Sequence, residues 1–141
     1  MSVSRDFQGA NQIVNHEAYR SYHSVNLGAQ VAHASPVKLV LLLTDGLLEE
    51  LVRARAHIEA RRYELKARSL DRCVDMLTGL SSALDFEHGG EVCENLGRLY
   101  DYCADRLYRA GIDLDPTKVD EVSGLLTTLR RGWQGMHQRL G

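Results

Sequence analysis

The amino-acid sequence predicts an all-α protein, and two observations carry that prediction. Only two of the 141 residues are proline, while the helix-favouring residues Leu, Ala, Glu and Arg are abundant. Four long segments also repeat apolar residues every three or four positions, which is the spacing of one face of an α-helix. Because short connections make neighbouring helices antiparallel, we predict an up-and-down four-helix bundle with an additional short or weaker N-terminal helix.

The beginning of the chain differs from the rest. Residues 1–13 are polar without a regular period, which predicts a flexible tail, and residues 14–141 then form a single domain. From about Val14 a weaker helix is expected, since Gly28 in its interior lowers helix stability by about 1 kcal/mol relative to alanine.

The most apolar segment runs from Ser35 to Ile58. Ser35 is suited to capping a helix, and Pro36 is tolerated at the first helical position because no amide hydrogen bond is lost there. Residues 39–43 are apolar on every side of this helix, whereas the pattern from Leu47 onward narrows to one stripe. This segment is therefore either the central helix of the bundle or a helix that keeps one face for a partner.

Turn signals divide the remaining sequence. A change in the phase of the apolar residues predicts a turn near Arg62–Glu64, and His88-Gly89-Gly90 is expected to end the next helix. The following helix is predicted from about Glu91 to Ala110, with Gly111 in the left-handed position beyond its end. Asp115-Pro116 then predicts the start of the last helix.

Composition limits the possible partners and compartments. A net charge of −2 argues against binding to duplex nucleic acid, which usually requires a basic face. The three cysteines match neither a disulfide framework nor a zinc spacing, so a reduced, cytoplasmic protein is expected. No apolar run approaches the roughly 18 residues of a membrane span, and the first ten residues do not resemble a signal peptide.

Catalytic patterns are not found in the sequence. It contains no phosphate-binding glycine loop and no serine-elbow motif, and no two histidines have the i, i+4 spacing of helical zinc hydrolases. We therefore expect no enzymatic activity, no metal and no cofactor. His57 is the one fair candidate for a phosphotransfer histidine, which leaves a regulatory four-helix bundle that binds another protein, such as a signalling protein, as the alternative function.

Several residues point to a surface for a protein partner. Asp45-Gly46 lies inside a predicted helix, where glycine favours a close helix crossing or, less often, the floor of a binding groove. Tyr100 and Tyr102 cannot share one helix face, so at least one of them leaves the core stripe. Tyrosines and surplus apolar surface are typical of grooves that receive amphipathic helices or extended peptides, although the N-terminal helix is an equally simple cover.

Six short motifs together resemble the FliS family of bacterial flagellar export chaperones. They follow the family's order from about Glu17 to Met136 and are Ala18–Tyr22, Ala34–Pro36, Leu43–Gly46, Gly89–Glu91, Leu99–Tyr102 and Trp133. The chain departs from the family pattern at Thr44, where an aromatic residue is usual, at Gly111, where asparagine is common, and in its longer N-terminal tail.

The resemblance implies a cytoplasmic chaperone without an ATP cycle. Members of the family bind the disordered C-terminal region of flagellin in hydrophobic grooves, prevent its premature polymerisation and assist its delivery to the flagellar type III export gate. By position, Tyr19, Tyr22, Leu43, Gly46, Leu99, Tyr100 and Tyr102 correspond to family motifs. Together with the apolar residues Leu39, Leu47 and Leu107, these are the predicted partner-binding residues.

Overall fold

The computed structural model describes residues 35–140, which form four helices. These are α1 (Pro36–Glu59), α2 (Tyr63–Ser82), α3 (Phe86–Asp113) and α4 (Pro116–Leu140). Both α1 and α3 pack against α2 and α4, so the helices form a ring in which sequence neighbours are antiparallel. The predicted all-α four-helix bundle is confirmed. The predicted tail and N-terminal helix lie outside the described residues.

Two helices begin as the sequence predicts. The Ser35 hydroxyl accepts a hydrogen bond of 3.1 Å from the backbone amide of Lys38, and Pro36 is the first helical residue of α1. At α4 the Asp115 carboxylate accepts a hydrogen bond of 2.9 Å from the backbone amide of Thr117. In both places a polar side chain satisfies an amide of the first turn that has no partner within the helix.

The first two connections, residues 60–62 and 83–85, come earlier in the chain than the sequence suggests. Arg61 adopts a left-handed φ of 56° in a tight turn, so α2 begins at Tyr63, inside the predicted turn. The prediction that His88-Gly89-Gly90 ends a helix was wrong, since α2 already ends at Ser82 and these residues lie in the first turns of α3. Gly90 has the non-helical angles φ 57° and ψ −136°, so α3 is kinked there and its long continuous part begins at about Glu91, as predicted.

Gly111 does not take the predicted left-handed position either. Leu114 does so with a φ of 52°, and α3 continues to Asp113. A Cβ atom at position 111 would lie 2.9 Å from Cδ1 of Leu70, so glycine instead allows α3 to approach α2 closely.

The core lies along the axis of the bundle, and α1 is its most buried member. In the first two turns of α1 most residues are buried, including Val37, Leu39, Leu41 and Leu43, and Lys38 is exposed, whereas the second half buries one stripe. The sequence pattern predicted this change. Among residues 35–140, no helix is both long and apolar enough to cross a membrane.

Candidate functional site

An apolar hollow of the surface lies between α3 and α4. We call it the α3–α4 groove; it has a volume of about 220 Å³ and is lined by Val92, Leu96, Leu129, Gly132, Trp133 and Met136. Trp133 is only 5% exposed and forms the floor, whereas Val92 is 52% exposed and forms an open wall. An open apolar hollow of this kind is suited to an apolar side chain of another segment.

Gly132 keeps this groove open. A Cβ atom at this position would meet nothing within 4 Å, so packing among the described residues does not require a glycine. Glycine inside a helix costs about 1 kcal/mol relative to alanine. The glycine therefore leaves free space above Trp133, and it lowers the helical stability of α4.

The floor of the groove connects to a buried tyrosine. The indole nitrogen Nε1 of Trp133 is buried and faces the Tyr100 hydroxyl, but it makes no hydrogen bond of normal geometry among the described residues. Burial raises the pKa of Tyr100 well above its usual value, against a smaller lowering by Trp133. Tyr100 is therefore a neutral core residue.

Polar contacts close the α3–α4 seam beyond the groove. The Tyr102 hydroxyl donates a hydrogen bond of 2.5 Å to Glu121 on α4, and Nε of Arg106 donates one of 2.7 Å to the same carboxylate. These two bonds lower the pKa of Glu121, and the bond to Glu121 raises the pKa of Tyr102. Tyr102 remains 44% exposed, so its ring is still accessible from outside.

A second, longer groove separates α2 from α3. Its upper hollow, of about 410 Å³, is lined by residues that include Lys66, Leu70, Asp71, Val74, Leu107, Tyr108 and Ile112. Its lower hollow, of about 290 Å³, includes Leu77, Thr78, Tyr100, Asp101 and Ala104. We call the two hollows together the α2–α3 groove. Unlike the α3–α4 groove, it carries carboxylates on its walls.

Two polar contacts fix the outer walls of these grooves to α1. Arg130 of α4 binds Asp45 through two hydrogen bonds, of 2.5 and 3.2 Å. On the other side, the buried Glu50 carboxylate accepts a hydrogen bond from Ser69 of α2 and another of 3.0 Å from Arg53. Burial opposes ionisation of Glu50, but these bonds and the nearby charge of Arg72 outweigh it and lower its pKa.

The structure divides the predicted partner-binding residues into separate groups. Leu39, Leu43 and Leu47 are core residues of α1, each at most 3% exposed. Tyr100 and Leu107 are equally buried, yet they form walls of the lower and upper hollows of the α2–α3 groove. Contact with a partner stays a prediction for all five.

The other predicted residues lie in three places. Leu99 and Tyr102 lie on the α3–α4 seam next to the groove, where Leu99 packs against the core. Tyr19 and Tyr22 lie outside the described residues. Gly46 is on α1, where a Cβ atom would meet nothing within 4 Å among residues 35–140, so the described helices do not form the expected close crossing there. Its role in a groove stays a prediction.

Sequence reasoning missed the residues that form the α3–α4 groove. It singled out Trp133 as a family motif, but it did not identify Val92, Leu96, Gly132 or Met136 as groove residues. The available signal was a glycine next to the one tryptophan in the middle of an otherwise regular helix. Glycine at such a position often marks a close approach.

The cysteines and His57 do not line these grooves. The three cysteines are buried, and burial raises the pKa of Cys73 to about 12, which keeps its thiol protonated. Within residues 35–140, no three His, Cys, Asp or Glu side chains are grouped as a metal site. His57 accepts a hydrogen bond of 3.0 Å from Arg62 and is part of neither groove.

Comparison with known proteins places the chain in a family. The family model described as flagellar protein FliS matches residues 18–140. The chain is 39% identical to the flagellar secretion chaperone FliSB of Pseudomonas aeruginosa over 85% of this chain and 95% of that protein. It is 36% identical to the flagellar secretion chaperone FliS of Salmonella typhimurium over 82% of this chain and 86% of that protein. These matches span nearly the whole bundle, and the chain therefore belongs to the FliS family of flagellar proteins.

Proposed function

We propose that this protein is a cytoplasmic secretion chaperone that binds the disordered C-terminal region of flagellin. In this proposal it prevents premature polymerisation of flagellin and assists delivery to a component of the flagellar type III export gate. The names of its relatives support a role as a flagellar secretion chaperone. The observation that carries the binding step is the α3–α4 groove, which is apolar, open and floored by Trp133.

A groove of this kind is suited to a disordered client. A disordered segment loses conformational entropy when it binds, so its affinity must come from apolar contact that outweighs the cost of ordering. The α3–α4 groove supplies such contact through Val92, Leu96 and Met136. Gly132 leaves room for a client side chain or backbone directly above the tryptophan.

The neighbouring residues extend this surface along α3. Leu99 and Tyr102 follow Leu96 at intervals of three residues, and the bond from Tyr102 to Glu121 orients this side of α3 toward α4. An apolar segment lying along the seam would therefore meet the groove first and the exposed Tyr102 ring about two turns further on. Two of the predicted partner-binding residues belong to this proposed surface.

Titration calorimetry with the C-terminal region of a cognate flagellin tests the proposal. We expect one-to-one binding with a large negative heat-capacity change, the signature of folding onto an apolar surface. If the folded protein gives no heat at any temperature, flagellin binding is rejected and the regulatory-bundle alternative is favoured.

A pair of valine variants locates the binding surface. Val92→Asp puts a charge into the α3–α4 groove and should weaken flagellin binding at least about tenfold. Val52→Asp is the matched control, because Val52 is 69% exposed on α1 and lines none of the three hollows described above. Equal binding by both variants would exclude the groove as the site while leaving flagellin binding itself intact.

A further inference from the structure

The walls of the α2–α3 groove combine apolar surface with unpaired negative charge. Within the described part of the chain, Asp71, Asp75 and Asp101 make no hydrogen bond or ion pair. Asp71 lines the upper hollow and Asp101 the lower one, while Asp75 lies one turn from both Asp71 and Thr78 on the same side of α2. Carboxylates therefore accompany the groove along its length.

Two cations of this region, Lys66 and Arg109, make their contacts with other groups. Lys66 donates a hydrogen bond of 2.8 Å to the carbonyl oxygen of Gly111, and its ammonium lies 5.9 Å from the centre of the Tyr63 ring. Arg109 binds Asp105, at 3.1 Å. Among the described residues, the carboxylates of Asp71 and Asp101 therefore have no ion-pair partner, although Lys66 also lines the upper hollow.

Apolar surface occupies the space between these charges. Tyr108 and Ile112 are 69% and 63% exposed at the edge of the upper hollow, and Val74 and Leu70 form its base. Ala104 adds a small apolar side chain to the lower hollow. An occupant would bury apolar side chains here and would gain further from positive charges at the rim.

We propose that the α2–α3 groove binds a cationic amphipathic peptide segment, a partner distinct from the apolar segment assigned to the α3–α4 groove. Asp101 of α3 lines the same hollow as Thr78 of α2. Thr78 follows Asp71 by seven residues, so the carboxylates of Asp71 and Asp101 are about 10 Å apart along the axis of α2. Lysine or arginine residues two helical turns apart on the segment match that separation. The proposal does not depend on flagellin being the client.

Fluorescence anisotropy with two labelled model peptides tests this proposal on the full-length protein. One peptide is an amphipathic helix of leucine and lysine, and the other replaces every lysine with glutamate. We expect saturable binding of the lysine peptide and binding of the glutamate peptide weakened by at least about tenfold. Equal affinity for both peptides would overturn the proposal, because charge would then not select the occupant.

Two double variants with the same change in net charge separate the groove from the general acidity of the protein. Asp71→Asn with Asp101→Asn should weaken lysine-peptide binding about tenfold, by removing both charges that face the segment. The control, Glu49→Gln with Glu87→Gln, changes two exposed carboxylates that line none of the three hollows and should leave the affinity within about twofold. Equal losses in both double variants would mean nonspecific attraction and would overturn the proposal.

The apolar part of the groove is tested separately. Ile112→Ser removes an exposed apolar side chain at the upper hollow without changing charge. The lysine peptide should bind this variant several-fold more weakly, since the contact area falls. Unchanged affinity would remove the upper hollow from the site and would overturn the proposal in its present form.

Discussion

The two grooves on either side of α3 share an apolar floor and differ in their rims. The α3–α4 groove is lined by apolar side chains and Gly132, whereas the α2–α3 groove has Asp71 and Asp101 in its walls. One helix thus presents two surfaces of different charge, and we propose that they select different segments. Apolar area gives each groove affinity, and the charge at the rim determines which segment is preferred.

Both grooves also depend on α1 for the position of their outer wall. Arg130 holds α4 through the half-exposed Asp45, while Ser69 holds α2 through the buried Glu50. A buried carboxylate contributes more to position than an exposed one, because solvent screens the exposed pair. The α2 wall should therefore be the more sensitive to mutation of its anchor.

The largest expected effect comes from removing the floor of one groove. Trp133→Ala should lower the free energy of unfolding by about 3–5 kcal/mol, since it leaves a large cavity in the core. In protein that remains folded, flagellin binding should be lost while lysine-peptide binding is retained. Urea unfolding and the two binding assays measure these effects, and parallel loss of both ligands would show that the grooves are not independent.

The buried anchor of the α2 wall gives the next largest effect. Glu50→Gln should destabilise the protein by about 1–3 kcal/mol at pH 7, because it removes the charged acceptor of Arg53 and Ser69. The pKa of Glu50 is lowered by folding, so the stabilisation is present above the ordinary pKa of 4.5 and is lost as the pH falls through the folded-state value.

Urea unfolding of the wild type and of Glu50→Gln at several pH values measures this effect. The difference in stability should narrow below about pH 4.5. A difference that stays constant down to pH 3 or so would show that the charge of Glu50 is not the stabilising feature.

A smaller effect is expected from salt, which should weaken binding to one groove more than binding to the other. Raising NaCl from about 50 mM to about 500 mM should weaken lysine-peptide binding several-fold, while flagellin binding changes by less than about twofold. The reason is that the first interaction uses exposed charges and the second uses apolar contact. Parallel titrations at the two salt concentrations make the comparison, and equal sensitivity would contradict the assignment of the two rims.

The smallest effect is expected at the exposed anchor of the α4 wall. Asp45→Asn should change the free energy of unfolding by less than about 1 kcal/mol, because Asp45 and Arg130 are both partly in water. A loss of unfolding free energy as large as that of Glu50→Gln would show that this pair stabilises the fold more than its exposure indicates.

The sequence predicted the helices better than it predicted their surfaces. Ser35 and Asp115 marked two helix starts correctly, since capping is a local property of a few residues. Gly90 and Gly111 were misread as helix ends, because a glycine equally permits a kink or a close contact. Which of these applies depends on the neighbouring helix, and the sequence of one helix does not contain that information.

The same limit explains why the sequence did not separate core residues from surface residues among the predicted partner-binding residues. Apolar periodicity places residues on a face of a helix such as α3, but it does not show how far α2 and α4 cover that face. The structure buries Tyr100 and leaves Val92 half exposed. Leu99 and Tyr102, taken from the family resemblance, lie beside the α3–α4 groove, whereas Leu39 and Leu47 are core residues.

Filling the space above Trp133 is the most direct test of the central claim, which is that the α3–α4 groove binds flagellin. Calorimetry would compare Gly132→Gln with Gly124→Gln, since both glycines are exposed on α4 and a Cβ atom at either meets nothing within 4 Å. Each variant should be as stable as the wild type or up to about 1 kcal/mol more stable. We predict that Gly132→Gln weakens flagellin binding at least about tenfold while Gly124→Gln binds normally. Wild-type affinity in both variants would contradict the claim.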